Sequence, residues 1–184
     1  MRLAFLAMIL LGSTATAEPS AELLTQLRQG GYVLFLRHTS TDFSQDDSRM
    51  KSFEDCATQR NLTDEGRGHA KRIGQAFKER KVPVERVLSS PWCRCIETAR
   101  LAFGEPVNDE SLSNLFGRSE NNAKQVEQMK TLASTRPKSG NLVLVSHGST
   151  IVALTGVSPG TGEMVVVTPQ GNGKFSVAGR LEVK

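Results

Sequence analysis

The sequence contains no long run of like charge, no internal repeat, no low-complexity tract and, beyond its first residues, no apolar stretch long enough to cross a bilayer. Each absence removes a class of function. The 23 lysines and arginines are interspersed with 19 acidic residues for a net charge of +4, which describes a solvated surface and not a nucleic-acid-binding face. Histidine and cysteine are scarce, three of each. His38, His69 and His147 show no tight ligand spacing, and Cys93-Arg94-Cys95 leaves one residue between cysteines where zinc sites use two or more with a second pair elsewhere. No metal and no cofactor is therefore expected, nor is a role for His69, a lone helical histidine.

What is present begins with an address. Arg2 supplies a positive start, Leu3 to Leu11 an apolar stretch of nine residues, and Ala15-Thr16-Ala17 a small-residue cleavage site. Nine residues are too few for a membrane span, which needs about 20. Residues 1–17 thus read as a signal peptide and 18–184 as one domain exported to the periplasm or secreted, with no stable membrane insertion after cleavage. Three cysteines in an exported chain invite a disulfide. Cys93 and Cys95 lie two apart on a predicted helix and point in different directions, so Cys56 is expected to pair with Cys93 or Cys95.

Alternating signals set the architecture. Helices are expected over Ala21 to Arg28, Asp64 to Glu79 with Thr63 as N-cap, the stretch after Pro91, Glu120 to Thr135 and Ile151 to Leu154. Strands are expected at Tyr32 to Leu36, Val87 to Ser90, Val107, Leu142 to Ser146, Met164 to Thr168 and Phe175 to Val183, the last two joined at Gly171-Asn172-Gly173. This is the pattern of a three-layer α/β/α single domain, its central sheet mainly parallel with an antiparallel edge hairpin. The polar loop from Thr39 to Asn61 is long for a compact domain, and such loops are usually functional.

Three of the strands end in reactive chemistry. The run Tyr32-Val33-Leu34-Phe35-Leu36 stops at Arg37-His38, and Leu142-Val143-Leu144-Val145-Ser146 stops at His147-Gly148-Ser149. Val87-Leu88-Ser89-Ser90 leads through Pro91-Trp92-Cys93 to Arg94, with Ser90 placed as N-cap and Arg94 in the first helical turn. Ligands of open α/β sheets bind at the carboxyl ends of strands, so two arginines and two histidines converge if these strands are neighbours.

With those motifs in order, the chain resembles the histidine phosphatase superfamily, the phosphoglycerate-mutase-like family. Leu36-Arg37-His38 matches the nucleophile motif, Ser89-Ser90-Pro91 through Arg94 and Glu97-Thr98-Ala99 the second arginine, Val145-Ser146-His147-Gly148 the second histidine, and Leu62-Thr63-Asp64-Glu65-Gly66-Arg67 the start of a family helix. The resemblance implies that His38 is the in-line nucleophile and that Arg37, Arg94 and His147 bind the phosphoryl oxygens. Physical chemistry agrees. Two guanidiniums oppose protonation of an imidazole, and their forked donors suit the non-bridging oxygens of a transferring phosphoryl group without a metal.

The expected function is an exported, metal-independent phosphomonoesterase of the histidine acid type, acting on a small phosphorylated substrate through phosphohistidine at His38. A phosphohistidine-protein phosphatase and a non-catalytic phosphate-binding relative are the alternatives. Thr41 and Ser149 are candidate hydroxyl donors to the substrate. One position departs from the family pattern, since a Leu-x-Glu stretch that carries the proton donor reads Leu112-Ser113-Asn114 here. Asp109, Glu110 and Glu163 remain as sources of that proton, and Glu163 is favoured because Gly160-Thr161-Gly162 before it permits close approach to a ligand.

Overall fold

Strand β1 (Val33–Arg37) sends Leu34 and Leu36 to one side of a sheet and Val33 and Phe35 to the other, and all four are fully buried. The computed structural model describes residues 21–115 and 122–184. The expected signal peptide lies outside them. Helix α1 (Ala21–Gln29) precedes β1; α2 (Asp64–Glu79), β2 (Val84–Ser89), α3 (Cys93–Phe103) and β3 (Val107–Asn108) follow the long loop. Then come α4 (Asn122–Ser134), β4 (Asn141–Ser146), α5 (Gly148–Thr155), β5 (Met164–Gly171) and β6 (Lys174–Leu181).

The strands form one six-stranded sheet in the order β3-β2-β4-β1-β5-β6. β3, β2, β4 and β1 are parallel, and β5 and β6 add an antiparallel edge. Successive side chains of β1, β4 and β5 alternate between two cores, as the twofold pleat of a strand requires. Leu34, Leu36, Val143, Val145, Met164 and Val166 pack with Leu27, Ile73, Phe77 and Ala99 from α1, α2 and α3. Val33, Phe35, Leu142, Leu144, Val165 and Val167 pack with Met129, Ala133 and Ile151 from α4 and α5. Three layers result, as the alternation of elements implies. Each such side chain stabilises the fold by about 1.5–3 kcal/mol through burial, so the central strands are held firmly and their ends are fixed platforms.

Local signals explain most boundaries. Thr63 caps α2, its Oγ1 accepting from the Gly66 amide at 3.0 Å. Gly66 itself has no room for a Cβ, because the carbonyl of Ser40 lies against it; this locks the loop after His38 onto the start of α2. The hairpin turns through Gly171, Asn172 and Gly173, all with positive φ of 51 to 78°. The long loop is irregular apart from a single 3-10 turn (Cys56–Thr58) and a bridge between Thr41 and Leu62. It is stapled by a disulfide between Cys56 and Cys93, with Cα atoms 5.7 Å apart, while Cys95 is a buried free thiol.

One local expectation changes. The N-cap of α3 is Trp92, and Ser90, expected in that role, lies two residues ahead with its hydroxyl turned to His147 at 2.9 Å. The helix starts later because the Trp92 backbone is still extended at ψ 133°. Among the described residues no helix is long and apolar enough to cross a membrane.

Candidate active site

Strands β2, β4 and β1 are adjacent and parallel, so their carboxyl ends open on one edge. Arg37 sits opposite Ser146 and Ser89 opposite Val145 in the sheet register. The amide of His38 continues the ladder to the Ser146 carbonyl at 3.0 Å, and that of Ser90 to the Val145 carbonyl at 2.9 Å. His38 and His147 therefore emerge side by side, their ring centroids 5.5 Å apart and their planes at 69°.

Nδ1 of His38 lies 2.9 Å from the carbonyl of Thr39. A carbonyl only accepts, so Nδ1 carries the proton and Nε2 keeps its lone pair. The ring is 4 % exposed, and burial, aided by Arg94, Arg37 and Arg60 against the Thr39 hydrogen bond, pushes its pKa down to about 3. His147 is shifted down for the same leading reason, burial, with His38 and Arg94 adding to it. Its Nε2 faces the Ser90 hydroxyl at 2.9 Å and its Nδ1 faces Nη2 of Arg94 at 3.5 Å. Since a guanidinium only donates, Nδ1 accepts and Nε2–H donates to Ser90. The site contains two neutral imidazoles.

The arginines are held by their surroundings. Arg37 donates from Nη1 to the Pro159 carbonyl at 2.9 Å, and Gly148 leaves room for its side chain, since a Cβ there would stand only 3.3 Å from the guanidinium. Arg94 is fully buried. Its Nη1 donates to both oxygens of Asp47 at 3.1 and 3.2 Å, and its Cζ lies 4.4 Å from the Trp92 ring centroid. Nε of Arg37 and Nε of Arg94 are buried donors without an acceptor. Buried N–H groups of this kind are costly to leave unmade, and an oxyanion between them would satisfy them.

A cavity of about 450 Å³ joins Arg37, His38, Arg94 and His147, with Arg60, Asn114, Gly148, Ser149, Val152 and Ser158 completing its wall. The four side chains expected to converge do so. Ser149 also lines the cavity, donating from Oγ to Oδ1 of Asn114 at 2.6 Å. Asn114 thus stands inside the site, where the family pattern has a carboxylic acid. A wider groove of about 1090 Å³ runs past the disulfide and the outer side of α3, and neither histidine lines it.

Other expected residues lie elsewhere. Thr41 is buried in the bridge to Leu62 and does not line the cavity. Glu163 turns its carboxylate away. Its oxygens accept from Nε of Arg180 at 2.5 Å, from Nη2 of Arg180 at 2.6 Å and from the Gly160 amide at 2.6 Å. Burial would raise its pKa, but these hydrogen bonds hold it below the usual carboxylate value, so Glu163 is kept ionised and has no proton to give. Only its backbone approaches the site, accepting from the Arg37 amide at 3.0 Å. Asp109 caps a 3-10 turn through the Ser111 amide and hydroxyl, and Glu110 lines the wider groove.

Arg60 and Asp47 are the residues the sequence reading missed. Both belong to the long loop, whose path no periodicity describes. Arg60 stands directly before the Asn61-Leu62-Thr63 start of α2, which is the one local signal for it. Among the described residues no group of three or more His, Cys, Asp or Glu could hold a metal ion.

Comparison with known proteins agrees with this geometry. The sequence model of the histidine phosphatase superfamily (branch 1) matches residues 33–128, just over half of the chain. No curated protein sequence matches. The protein histidine phosphatase SixA complexed with tungstate shares the fold at a TM-score of 0.57 and 18% identity, over 82% of this chain and 96% of the other. A phosphoserine phosphatase from Entamoeba histolytica, in complex with 3-phosphoglyceric acid, shares it at 0.58 and 15% identity, over 83% and 98%. At such identities the likeness speaks for the fold; the sequence match over β1, the long loop, α2, β2 and α3, which carry Arg37, His38 and Arg94, makes this chain a member of the histidine phosphatase superfamily, branch 1.

Proposed function

We propose that the protein is an exported, metal-independent phosphomonoesterase that works through a phosphohistidine on His38. The observation that carries this reading is the lone pair on Nε2 of a neutral, buried histidine set among three guanidiniums. Family membership supports phosphatase activity; export rests on the leader-like residues 1–17. In the first half-reaction Nε2 attacks phosphorus while Arg37 and Arg94 hold the non-bridging oxygens, whose charge spreads as the transition state forms; His147, expected as a third donor, gives its N–H to Ser90 and its Nδ1 to Arg94 and so positions that guanidinium. Water then cleaves the N–P bond and frees phosphate. The substrate is a small phosphorylated molecule, with Ser149 as a hydroxyl at the cavity wall.

Acid-labile, base-stable phosphate on enzyme quenched during turnover of a labelled phosphomonoester tests the mechanism. His38→Ala should lose both label and turnover, and chelator should change neither. Full activity of that variant would sink it. The lack of a carboxylic acid among the described cavity-lining residues favours one rival, a phosphate-binding relative without turnover, and any His38-dependent turnover excludes that rival.

A further inference from the structure

A third arginine stands at the cavity beside the two that the family pattern supplies. Arg60, from the end of the long loop, lines it together with Arg37, His38, Arg94 and His147. Its main chain is tied to Arg94 once directly and once through Asp47. The Arg60 carbonyl accepts from Nη1 of Arg94 at 3.4 Å, and the Arg60 amide donates at 2.9 Å to Oδ1 of Asp47, the oxygen that Nη1 of Arg94 also contacts at 3.1 Å. These bonds fix the point from which the Arg60 side chain starts.

The guanidinium of Arg60 is positioned and yet unpaired. Among the described residues it has no hydrogen bond and no ion pair, and its Cζ rests 4.7 Å from the ring centroid of Phe43. Burial first, and then Arg94 and Arg37, work against its charge and lower its pKa, despite the help of Asp47. An arginine does not give up its proton, so the free protein carries this opposition as a cost in stability that an anion among the three guanidiniums relieves. His147, meanwhile, is committed elsewhere: its N–H goes to Ser90 and its Nδ1 to Arg94, which leaves the phosphoryl group one expected donor short.

Building on the phosphatase reading, we infer that Arg60 is a third phosphoryl-binding arginine, donating to the non-bridging oxygens in place of His147. Arg37 and Arg94 each bring a buried Nε–H without an acceptor, and Arg60 adds a guanidinium that the fold has placed at the same cavity and left unpaired. The ligand class is a tetrahedral oxyanion with charge on several oxygens, which describes both the phosphoryl group of a substrate and the phosphate product. Forked donors meet adjoining oxygens of such an anion, where an ammonium acts as a point charge. The loop that carries Arg60 is stapled to Cys93 by the disulfide and to Arg94 by Asp47, so Arg60 and Arg94 are held as one unit.

Calorimetric titration of inorganic phosphate into the purified protein tests this without turnover. Arg60→Met, which keeps the apolar stem, should weaken phosphate binding about 10- to 10²-fold, as the loss of a charged hydrogen bond does. Arg60→Lys should recover part of that loss, because it restores the charge without the fork. In phosphate-free buffer the urea midpoint of Arg60→Met should equal or exceed that of the wild type, since the variant removes a charge that the fold opposes; a residue needed only to hold the loop would lower it. Unchanged phosphate affinity in Arg60→Met would overturn the inference. So would a lowered urea midpoint with no recovery of affinity in Arg60→Lys. In both cases the phosphate label on His38 reports separately, and the phosphatase reading stands or falls by it. Wild-type protein that neither binds phosphate nor takes up label would overturn both readings.

Discussion

The guanidinium of Arg94, with no exposed surface, is neutralised by Asp47 from 47 positions earlier in the chain, through two contacts of 3.1 and 3.2 Å. A single carboxylate therefore does two things. It supplies a counter-charge to a cation that burial would otherwise penalise, and its Oδ1 holds the loop by accepting from the Arg60 amide. Asp47→Asn should destabilise the fold by about 1–3 kcal/mol, less than a fully buried pair because Asp47 is 24% exposed. Inorganic phosphate can replace the missing charge at Arg94. Its stabilising shift in Tm should accordingly be larger in the variant than in the wild type. Equal shifts in the two proteins would show that Asp47 is not the counter-ion that matters.

The disulfide makes the same connection covalently. Cys56 and Cys93 are 37 positions apart, and Cys93 immediately precedes Arg94. Closing that loop in the unfolded chain stabilises by about 2–4 kcal/mol. Cys56→Ser with Cys93→Ser should lower the urea midpoint accordingly and weaken phosphate binding, because the segment bearing Asp47 and Arg60 gains freedom. Cys95 should not substitute as a partner: burial pushes its thiol pKa up to about 12, and a protonated thiol is a poor nucleophile for exchange. Peptide mapping without reduction should recover the Cys56–Cys93 pair alone.

Protonation of the two histidines opposes folding. An unfolded histidine takes up a proton near pH 6.5, whereas folded His38 does so only near 3. Between those values the unfolded chain binds more protons, so stability rises with pH and is lost as pH falls from 6.5 toward 3. The slope is at most about 1.4 kcal/mol per pH unit for each such histidine, and His147 contributes in the same direction. Urea unfolding between pH 8 and 4 should therefore show a shallower pH dependence in His38→Asn than in the wild type. Superimposable slopes would mean that His38 is not held neutral by the fold.

Strand ends were legible in the sequence because buried parallel strands are continuous apolar runs, and the polar residue that stops each run has only one edge to emerge from. That logic placed Arg37, His38, His147 and, one helical turn on, Arg94. It could not place Arg60 or Asp47. Their positions follow from a disulfide, a salt bridge and the Gly66–Ser40 contact, all long-range and none periodic. Glycines near Glu163 suggested close approach to a ligand, yet the positive φ of 74° at Gly162 instead lets the chain turn so tightly that His69 fills the space where a side chain would be. Ser90 shows the same limit: its residue type suits a cap, and only the neighbouring strand reveals that its hydroxyl serves His147.

Glu163 thus acts at a distance from the chemistry. Its carboxylate ties Arg180 to the Gly160 amide, its carbonyl receives the Arg37 amide, and the Pro159 carbonyl beside that turn receives the Arg37 guanidinium. Removing the charge should loosen the turn and with it Arg37, a contact with substrate common to every leaving group. A general acid behaves differently, mattering most for an alkoxide and least for an activated phenol. Glu163→Gln should therefore lower kcat/KM by a similar factor, on the order of tenfold or less, for aryl and alkyl phosphates alike, since it removes positioning and not a proton. The ratio of the two rates is the measurement. A loss of about 10²–10⁴-fold confined to the alkyl phosphate would return Glu163 to the site as the proton donor, and would require the turn from Pro159 to Glu163 to swing its carboxylate off Arg180 and into the cavity when substrate binds.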